Sequence, residues 1–368
     1  MIIKNGKVFD ENGRFVEKEI YIRDGRIVAC REEVTDGEVV DASGLKVIPG
    51  LVDVHSHGAF GHDFSDGDTE GLRCVLRYEK RNGITSYCPT SMTLGLDKLL
   101  AIFQTAVEAQ NTPDGARIMG IHMEGPFLDA AKKGAHEAAY IACPTETMWK
   151  SCQDAANGLI KLLTLAPNAE GAMEFIDKYH DQVHISLGHT AAGYEVAKEA
   201  LKRGAAHITH LYNAMLPMGH REPGMIIAAV EDEKCMAELI SDGIHIHPAV
   251  VRNTFRMFGR DRVILISDSM MATGMENGTY QLGGQKVTMK DRRATLDDGT
   301  IAGSATNLFE CMRQAIAFGV PEEDALLAAT RNPARSIGAD DCVGVLAPGR
   351  YADILLVDEN YQIVKIIG

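Results

Sequence analysis

From residue 49 onward the sequence alternates between short apolar runs and longer amphipathic segments, and the alternation occurs eight times. Short apolar runs bounded by turns are typical of strands buried on both faces, whereas the amphipathic segments have the spacing of surface helices. Eight strand–helix units predict an α/β fold, a TIM-like (β/α)8 barrel over residues 49–342. The predicted strands are Leu51–His55, Ile84–Cys88, Ile118–His122, Ile160–Leu165, His184–Leu187, His207–His210, Met236–Ile240 and Val263–Ser267, with helices such as Thr69–Arg81, Leu96–Gln110, Thr145–Ala156, Tyr194–Lys202 and Pro248–Phe258 between them.

The two ends of the chain have a different pattern, in which short strands alternate with turns such as Asn12-Gly13 and Pro348-Gly349. Neither end is large enough to bury a core by itself. We therefore expect residues 1–48 and 343–368 to meet as one small β-sandwich domain. A β-hairpin is predicted over residues 279–300, after the eighth strand, with packing on the small domain as one option.

Composition narrows the classes of partner. The formal net charge of −14 argues against a nucleic-acid or anionic-membrane surface, because both need clustered lysines and arginines. No apolar run approaches the roughly 20 residues that span a bilayer, and the N-terminus has no signal-peptide pattern, so we expect a cytoplasmic protein. The eight scattered cysteines include no C-x-x-C pair and indicate neither a disulfide framework nor a cysteine zinc site.

A carboxylate, Glu124, lies where the third predicted strand gives way to Gly125-Pro126. A buried, unpaired carboxylate costs several kcal/mol or more, so Glu124 needs a cation. Barrel active sites form at the C-terminal ends of strands, where other ionisable groups are therefore expected to join it. Histidine and carboxylate ligands together favour zinc or a similar divalent ion such as iron. Those other groups are His55 and His57 after strand one, His189 after strand five, His210 after strand six, Asp242 and His245 after strand seven, and Asp268 after strand eight.

These motifs give the chain a resemblance to the amidohydrolase superfamily and, within it, to the N-acetylglucosamine-6-phosphate deacetylases. The H-x-H motif at His55 is common to many amidohydrolases, whereas H-x-E-G-P-F at His122 and H-L-Y-N-A-M at His210 are specific to the deacetylase branch. The other matching stretches are Gly188-His189-Thr190, Asp242-Gly243-Ile244-His245, Ser267-Asp268-Ser269-Met270 and Ile301-Ala302-Gly303-Ser304.

The resemblance implies a metal centre containing Zn²⁺ or Fe²⁺. Glu124, His189 and His210 would hold the main ion. His55 and His57 would hold a second ion, with Glu124 bridging the two. Some members of the family have lost one or both H-x-H histidines and bind one ion, but this chain keeps both, which favours a binuclear site.

The resemblance also implies hydrolysis of N-acetylglucosamine 6-phosphate to glucosamine 6-phosphate and acetate. Asp268 would be general base and then general acid as metal-bound hydroxide attacks the acetamide, and His136 would polarise the carbonyl. An alternative for Asp268 is a structural residue that caps the next turn through Ser269. Rival functions are deacetylation of the galactosamine epimer, hydrolysis of a cyclic amide or dipeptide, and a non-catalytic barrel scaffold.

Substrate-binding residues follow from the same resemblance. Arg221 would bind the phosphate from a neighbouring subunit, which implies a homodimer, and a guanidinium suits a phosphate because it can bind bidentately. The residues expected around the rest of the phosphorylated N-acetyl amino sugar are Ala135, Asn213, Ala214, His245, Ile301, Ala302, Gly303 and Ser304.

Overall fold

The computed structural model describes residues 1–34 and 37–368 of the chain. Its N-terminal segment forms short strands because apolar residues alternate between turns there. These strands are β1 (Ile2–Lys4), β2 (Lys7–Phe9), β3 (Phe15–Glu17), β4 (Ile20–Arg23), β5 (Arg26–Val28), β6 (Val39–Asp41) and β7 (Lys46–Pro49).

The middle of the chain forms the predicted barrel of eight parallel strands, and this part of the fold prediction is confirmed. The Asp268 backbone N–H donates to the His55 carbonyl oxygen at 2.9 Å and so links the eighth strand to the first. The barrel strands, in order, are β8 (Leu51–Ser56), β11 (Ile84–Ser91), β13 (Ile121–Glu124), β14 (Ile160–Leu165), β15 (His184–Leu187), β16 (His207–Ile208), β17 (Met236–Ile240) and β18 (Val263–Ile266). Three shorter strands lie between them, β9 (Gly58–Ala59), β10 (His62–Asp63) and β12 (Arg117–Ile118).

Two strand boundaries differ from the prediction for local reasons. The third predicted strand divides into β12 and β13, because Met119 pairs its N–H with the Tyr87 carbonyl before the chain moves to a new register. The sixth strand ends early, since the backbone at His210 has a positive φ of 27° that an extended strand does not allow.

Helices lie between the strands and bury their apolar faces on the barrel. In α1, Leu72, Val75 and Leu76 are buried at the i, i+3, i+4 spacing that predicted the helix. No helix among the described residues is both long and apolar enough to cross a membrane. The helices are α1 (Thr69–Arg81), α2 (Leu96–Ala109), α3 (Glu146–Ala155), α4 (Ala172–Tyr179), α5 (Tyr194–Lys202), α6 (Gly224–Glu231), α7 (Pro248–Phe258), α8 (Leu308–Ala317), α9 (Glu322–Ala329) and α10 (Arg331–Ser336).

The insertion after the eighth strand is a three-stranded antiparallel sheet, formed by β19 (Gly278–Leu282), β20 (Gln285–Lys290) and β21 (Arg293–Thr295), where we predicted a two-stranded hairpin. It packs on the barrel mouth. Its buried residue Val287 belongs to the same hydrophobic core as the barrel, and the Gln285 amide donates to the Ala135 carbonyl. The insertion therefore borders the site at the ends of the barrel strands.

The two chain ends meet in a pair of sheets. The C-terminal strands β22 (Ile354–Val357) and β23 (Ile363–Ile367) join β7, β2 and β3 in one sheet, while β5, β4, β1 and β6 form the other. Side chains from both sheets share a core that includes Ile3, Val8 and Leu356. Because each end supplies part of that core, neither end could bury it alone. The domain boundaries at residues 48 and 342 stay a prediction.

Candidate active site

Ionisable side chains from the strand ends meet in one cavity of about 510 Å³ at the mouth of the barrel. Of the predicted residues, this cavity is lined by His57, Glu124, Ala135, His136, His189, His210, Asn213, Ala214, His245, Asp268, Ile301 and Gly303. His55 lies directly beneath them and is fully buried. The strand-end pattern thus brings together groups that are far apart in the sequence.

Glu124 lies at the centre of this cluster, and each of its carboxylate oxygens faces a different set of histidines. Oε1 is 3.1 Å from His189 Nε2 and 3.0 Å from His210 Nε2. Those two imidazole nitrogens are only 2.9 Å apart. Three donor atoms of this kind around one point have the chemistry of a divalent-ion site.

The second oxygen of Glu124 faces the H-x-H pair. Oε2 is 3.5 Å from His55 Nε2 and 3.3 Å from His57 Nε2. Asp268 Oδ1 approaches the same two nitrogens, at 3.6 Å and 3.3 Å. His55, His57 and Asp268 therefore form a second group able to hold an ion, with Glu124 between the two groups.

In three of these histidines, the hydrogen-bond partner of Nδ1 determines which ring nitrogen carries the proton. In each case Nδ1 faces an oxygen that can only accept, so Nδ1 carries the hydrogen and Nε2 of the neutral ring has a lone pair. The acceptors are the Glu238 carboxylate for His55 (2.9 Å), the Thr90 carbonyl for His57 (3.1 Å) and the Lys132 carbonyl for His189 (2.9 Å).

The charges and protons of these side chains show whether the residues fit a metal ion. Imidazole nitrogens and carboxylate oxygens point at the same space within a buried cluster. Burial lowers the pKa of His57, but Asp268 and Glu124 outweigh it and raise that pKa to about 10, so this space favours positive charge. His55 Nε2 has no hydrogen-bond partner among the described residues. Cations placed between these atoms would satisfy all of them, so the donor set fits one or two divalent ions.

His136 has the opposite proton arrangement. Its Nδ1 accepts the backbone N–H of Thr93 at 3.0 Å, so the hydrogen of the neutral ring is on Nε2, which lies 3.3 Å from Glu124 Oε2. Burial, reinforced by the nearby His189, lowers the pKa of His136 to about 4. His136 is therefore a neutral hydrogen-bond donor aimed into the cavity, although its position beside Glu124 and His189 also resembles a ligand position.

The backbone at the strand ends is strained. His189, His210 and Asp268 have φ angles of 47°, 27° and 48°, in the left-handed region that non-glycine residues rarely adopt. Each such residue costs about 1–3 kcal/mol and persists only where its surroundings fix it. With this backbone conformation the three residues line the cavity at the barrel mouth.

Asp268 does not cap the following turn. The N–H of Ser269 donates to the Ser267 hydroxyl, while the Asp268 carboxylate faces His55 and His57. The capping alternative considered from the sequence is therefore wrong.

His245 borders the cavity and is oriented by a carboxylate. Asp242 Oδ2 is 2.8 Å from His245 Nδ1, and the same side chain accepts the backbone N–H groups of Ile244 and His245. Nδ1 therefore carries the proton, and Nε2 is left as an acceptor. Such a nitrogen can bind a hydroxyl of a polar ligand.

Three of the predicted substrate-binding residues do not line the cavity. Arg221 is exposed on the loop before α6. Ala302 is fully buried, and the Ser304 hydroxyl donates to the Ser267 carbonyl at 2.6 Å. Direct contact of these three side chains with a ligand in this cavity stays a prediction.

Two contributors were missed in the sequence. Lys132 lines the cavity and its carbonyl orients His189. Glu238 is fully buried in β17 and accepts from His55. The signal for Glu238 was present, since a lone carboxylate interrupts the apolar run Met236–Ile240 as Glu124 interrupts its own strand.

Comparisons with known proteins show the family of this chain. The model of the amidohydrolase family matches residues 46–367. The N-acetylglucosamine-6-phosphate deacetylase of Bacillus subtilis (strain 168) is 34% identical over 100% of this chain and 95% of its own length. The N-acetylgalactosamine-6-phosphate deacetylase of Escherichia coli O157:H7 is 30% identical over 99% of this chain and 97% of its own.

Solved structures give the same result. A mutant of N-acetyl-D-glucosamine-6-phosphate deacetylase from Mycobacterium smegmatis, in complex with N-acetyl-D-glucosamine-6-phosphate, superimposes with a TM-score of 0.92 and 30% identity. The match covers 100% of this chain and 97% of that one. Together with the barrel and its cluster of histidines and carboxylates, these matches show that the chain belongs to the amidohydrolase family, in the branch of the N-acetylglucosamine-6-phosphate deacetylases.

Proposed function

We propose that this protein hydrolyses the acetamide of N-acetylglucosamine 6-phosphate to give glucosamine 6-phosphate and acetate. The observation that carries the proposal is the position of three groups around one cavity. Glu124 and its histidines offer a metal site, Asp268 offers a carboxylate beside it, and His136 offers a neutral N–H donor. The names of the relatives supply the substrate class.

The metal would be a divalent ion, Zn²⁺ or Fe²⁺. Glu124, His189 and His210 would hold one ion, and His55 and His57 would hold a second with Glu124 bridging. A bound ion would supply Lewis acidity and lower the pKa of a water ligand from about 15.7 toward about 7.

Asp268 moves the proton in this reaction. Its Oδ1 lies on the cavity side of the H-x-H pair, so it can take a proton from the attacking water and deliver it to the departing amine. An amine leaves a tetrahedral centre poorly unless it is protonated. One carboxylate therefore serves both halves of the cycle.

His136 would stabilise the negative charge that develops on the acetamide oxygen. Its Nε2–H points into the cavity, and its lowered pKa keeps the ring neutral at pH 7, so the donor is a neutral N–H. His245 and Asn213 border the cavity beside it and offer polar groups to the sugar hydroxyls.

The phosphate would be bound by Arg221 of a second subunit in a homodimer. An exposed arginine on a loop outside its own cavity is suited to reach a neighbouring site. The protein as a whole has a net charge of −14, so an anionic substrate needs a local cation of this kind. No nucleic-acid or membrane partner is proposed.

The direct test is acetate release. Protein loaded with Zn²⁺ or Fe²⁺ is incubated with N-acetylglucosamine 6-phosphate, and acetate and free amine are measured in parallel. We expect the two products in equal amounts. A folded, metal-loaded protein that releases neither product would exclude the proposed function.

The galactosamine epimer is a second candidate substrate. The N-acetylgalactosamine-6-phosphate deacetylase of Escherichia coli O157:H7 matches this chain almost from end to end. The glucosamine and galactosamine substrates differ only in the orientation of one hydroxyl. The kcat/KM values for the two epimers decide between them.

A further inference from the structure

Glu238 is a fully buried carboxylate in the middle of β17. Its Oε2 is 2.9 Å from His55 Nδ1 and 3.0 Å from the backbone nitrogen of His210. Its Oε1 lies 3.3 Å from His207 Nε2 but makes no hydrogen bond of good geometry among the described residues. A carboxylate removed from water with so few partners is costly, and its contacts suggest a role in the metal centre.

His55 and His210 lie on opposite sides of Glu124. His55 faces Oε2 of Glu124, in the half of the site that contains His57 and Asp268, whereas His210 faces Oε1. A single oxygen of Glu238 therefore contacts both halves.

We propose that Glu238 is a positioning residue that makes the His55–His57 half of the site able to bind a second divalent ion. This inference rests on the proposed metal-dependent function and adds to it the residue that determines how many ions are bound.

The first step of the reasoning concerns the proton on His55. With Glu238 accepting from Nδ1, the lone pair of the neutral ring is on Nε2. Without that acceptor the hydrogen could move to Nε2, which lies 3.5 Å from Glu124 Oε2 and 3.6 Å from Asp268 Oδ1. His55 would then donate hydrogen bonds to these carboxylates and would no longer be a ligand. Glu238 removes this alternative.

The second step concerns His210. Its backbone has a strained φ of 27°, and its N–H is held by Glu238 Oε2. That hydrogen bond is one of the contacts that keep the His210 ring directed at Glu124. Glu238 contacts only the backbone of His210, however, whereas it accepts from the ring of His55, so we expect the Glu124–His189–His210 half to depend on Glu238 less than the His55 half does.

The test is metal binding by Glu238→Gln. An amide can donate to His55 Nδ1 as readily as accept from it, so the variant no longer specifies which nitrogen carries the proton. Loss of such an outer contact typically weakens a metal site by about 10–100-fold. We expect wild type to bind two Zn²⁺ ions per chain and the variant to keep one ion and bind the second at least tenfold more weakly, measured by chelator competition.

The matched control is Glu79→Gln. Glu79 is also fully buried, but it lies in α1 and both of its carboxyl oxygens are without partners among the described residues, and burial raises its pKa well above the usual value. The Glu79→Gln variant should bind both ions like wild type, which separates a specific effect at Glu238 from the replacement of any buried carboxyl group. A second variant, Glu238→Asp, keeps the negative charge, but its shorter side chain places the carboxylate farther from His55. If Glu238→Gln does not fold, the same metal-binding measurement is made on Glu238→Asp.

Co²⁺ gives a readout that simple destabilisation would not mimic. The absorption bands of the second Co²⁺ equivalent should be lost in Glu238→Gln, while those of the first are kept. Three results would overturn the inference. Folded Glu238→Gln could bind both ions with wild-type affinity, it could bind both ions equally more weakly, or the wild-type protein could bind a single ion. Acetate release by wild type, measured on the same samples, tests the proposed function independently.

Discussion

Replacing His136 with alanine should show whether this side chain is a hydrogen-bond donor or a metal ligand. The ring is almost completely buried, and its Nδ1 is occupied by the Thr93 N–H at 3.0 Å. Only Nε2–H is left to face the cavity, 3.3 Å from Glu124 Oε2. A protonated nitrogen cannot ligate an ion, so we expect His136→Ala to keep the wild-type metal content.

The expected loss of activity follows from this geometry. Because the pKa of His136 is lowered to about 4, only about one ring in a thousand is protonated at pH 7, and the donor is a neutral N–H. Removing one such donor from the oxyanion position typically lowers kcat by about 100–1,000-fold, or about 3–4 kcal/mol. KM should change little, because the contact strengthens as charge develops on the oxygen.

Stability should also fall, for a separate reason. His136→Ala leaves the Thr93 N–H buried without its acceptor, which costs about 1–3 kcal/mol. At about 2.1 cal/mol/K of unfolding entropy per residue, a chain of 368 residues loses about 1.3 °C of Tm per kcal/mol, so Tm should fall by about 1–4 °C.

The assay combines kcat, KM and metal content on the same preparations. His136→Gln is the matched control, because its amide can again donate into the cavity and should recover part of the lost kcat. Loss of an ion from His136→Ala, with activity restored by added Zn²⁺, would refute the donor assignment. The donor assignment would also be refuted if wild-type kcat fell below about pH 6.5 and this fall were absent in His136→Gln.

Asp268→Asn should keep substrate binding and lower kcat by several orders of magnitude, and near-normal turnover would assign the base elsewhere. Arg221→Ala should lower kcat/KM for the phosphorylated sugar and leave that for N-acetylglucosamine nearly unchanged; equal losses on both substrates would remove the phosphate role. Removing the metal with a chelator should lower Tm, since an ion at 100 times its Kd stabilises the fold by about 2.7 kcal/mol, and an unchanged Tm would contradict a resident ion.

The barrel was predictable because its signals are local. Runs such as Ile160–Leu165 are apolar, short and bounded by turns, and helices such as Thr69–Arg81 bury one regular face. The placement of Glu124 and the histidines at strand ends then followed from the rule that barrel mouths collect such residues.

Other parts of the site depend on contacts between distant residues. Glu238 is unusual as a lone carboxylate in an apolar run, but its partner His55 is 183 positions away and no local pattern pairs the two residues. The protons on His55, His57 and His189 depend in the same way on single oxygens from other strands and loops. The insertion has ordinary hairpin periodicity, and only the contact between Gln285 and Ala135 shows which side of the molecule it covers.

The loop that carries His136 has a consequence for how substrate enters. This loop orients His189 through the Lys132 carbonyl, and its Asp129 N–H donates to the His189 carbonyl at 3.0 Å. It cannot swing away as a gate without releasing a residue expected to hold the metal. We therefore expect substrate to enter and leave past the opposite wall of the mouth, where Leu282 and Thr300 also line the cavity.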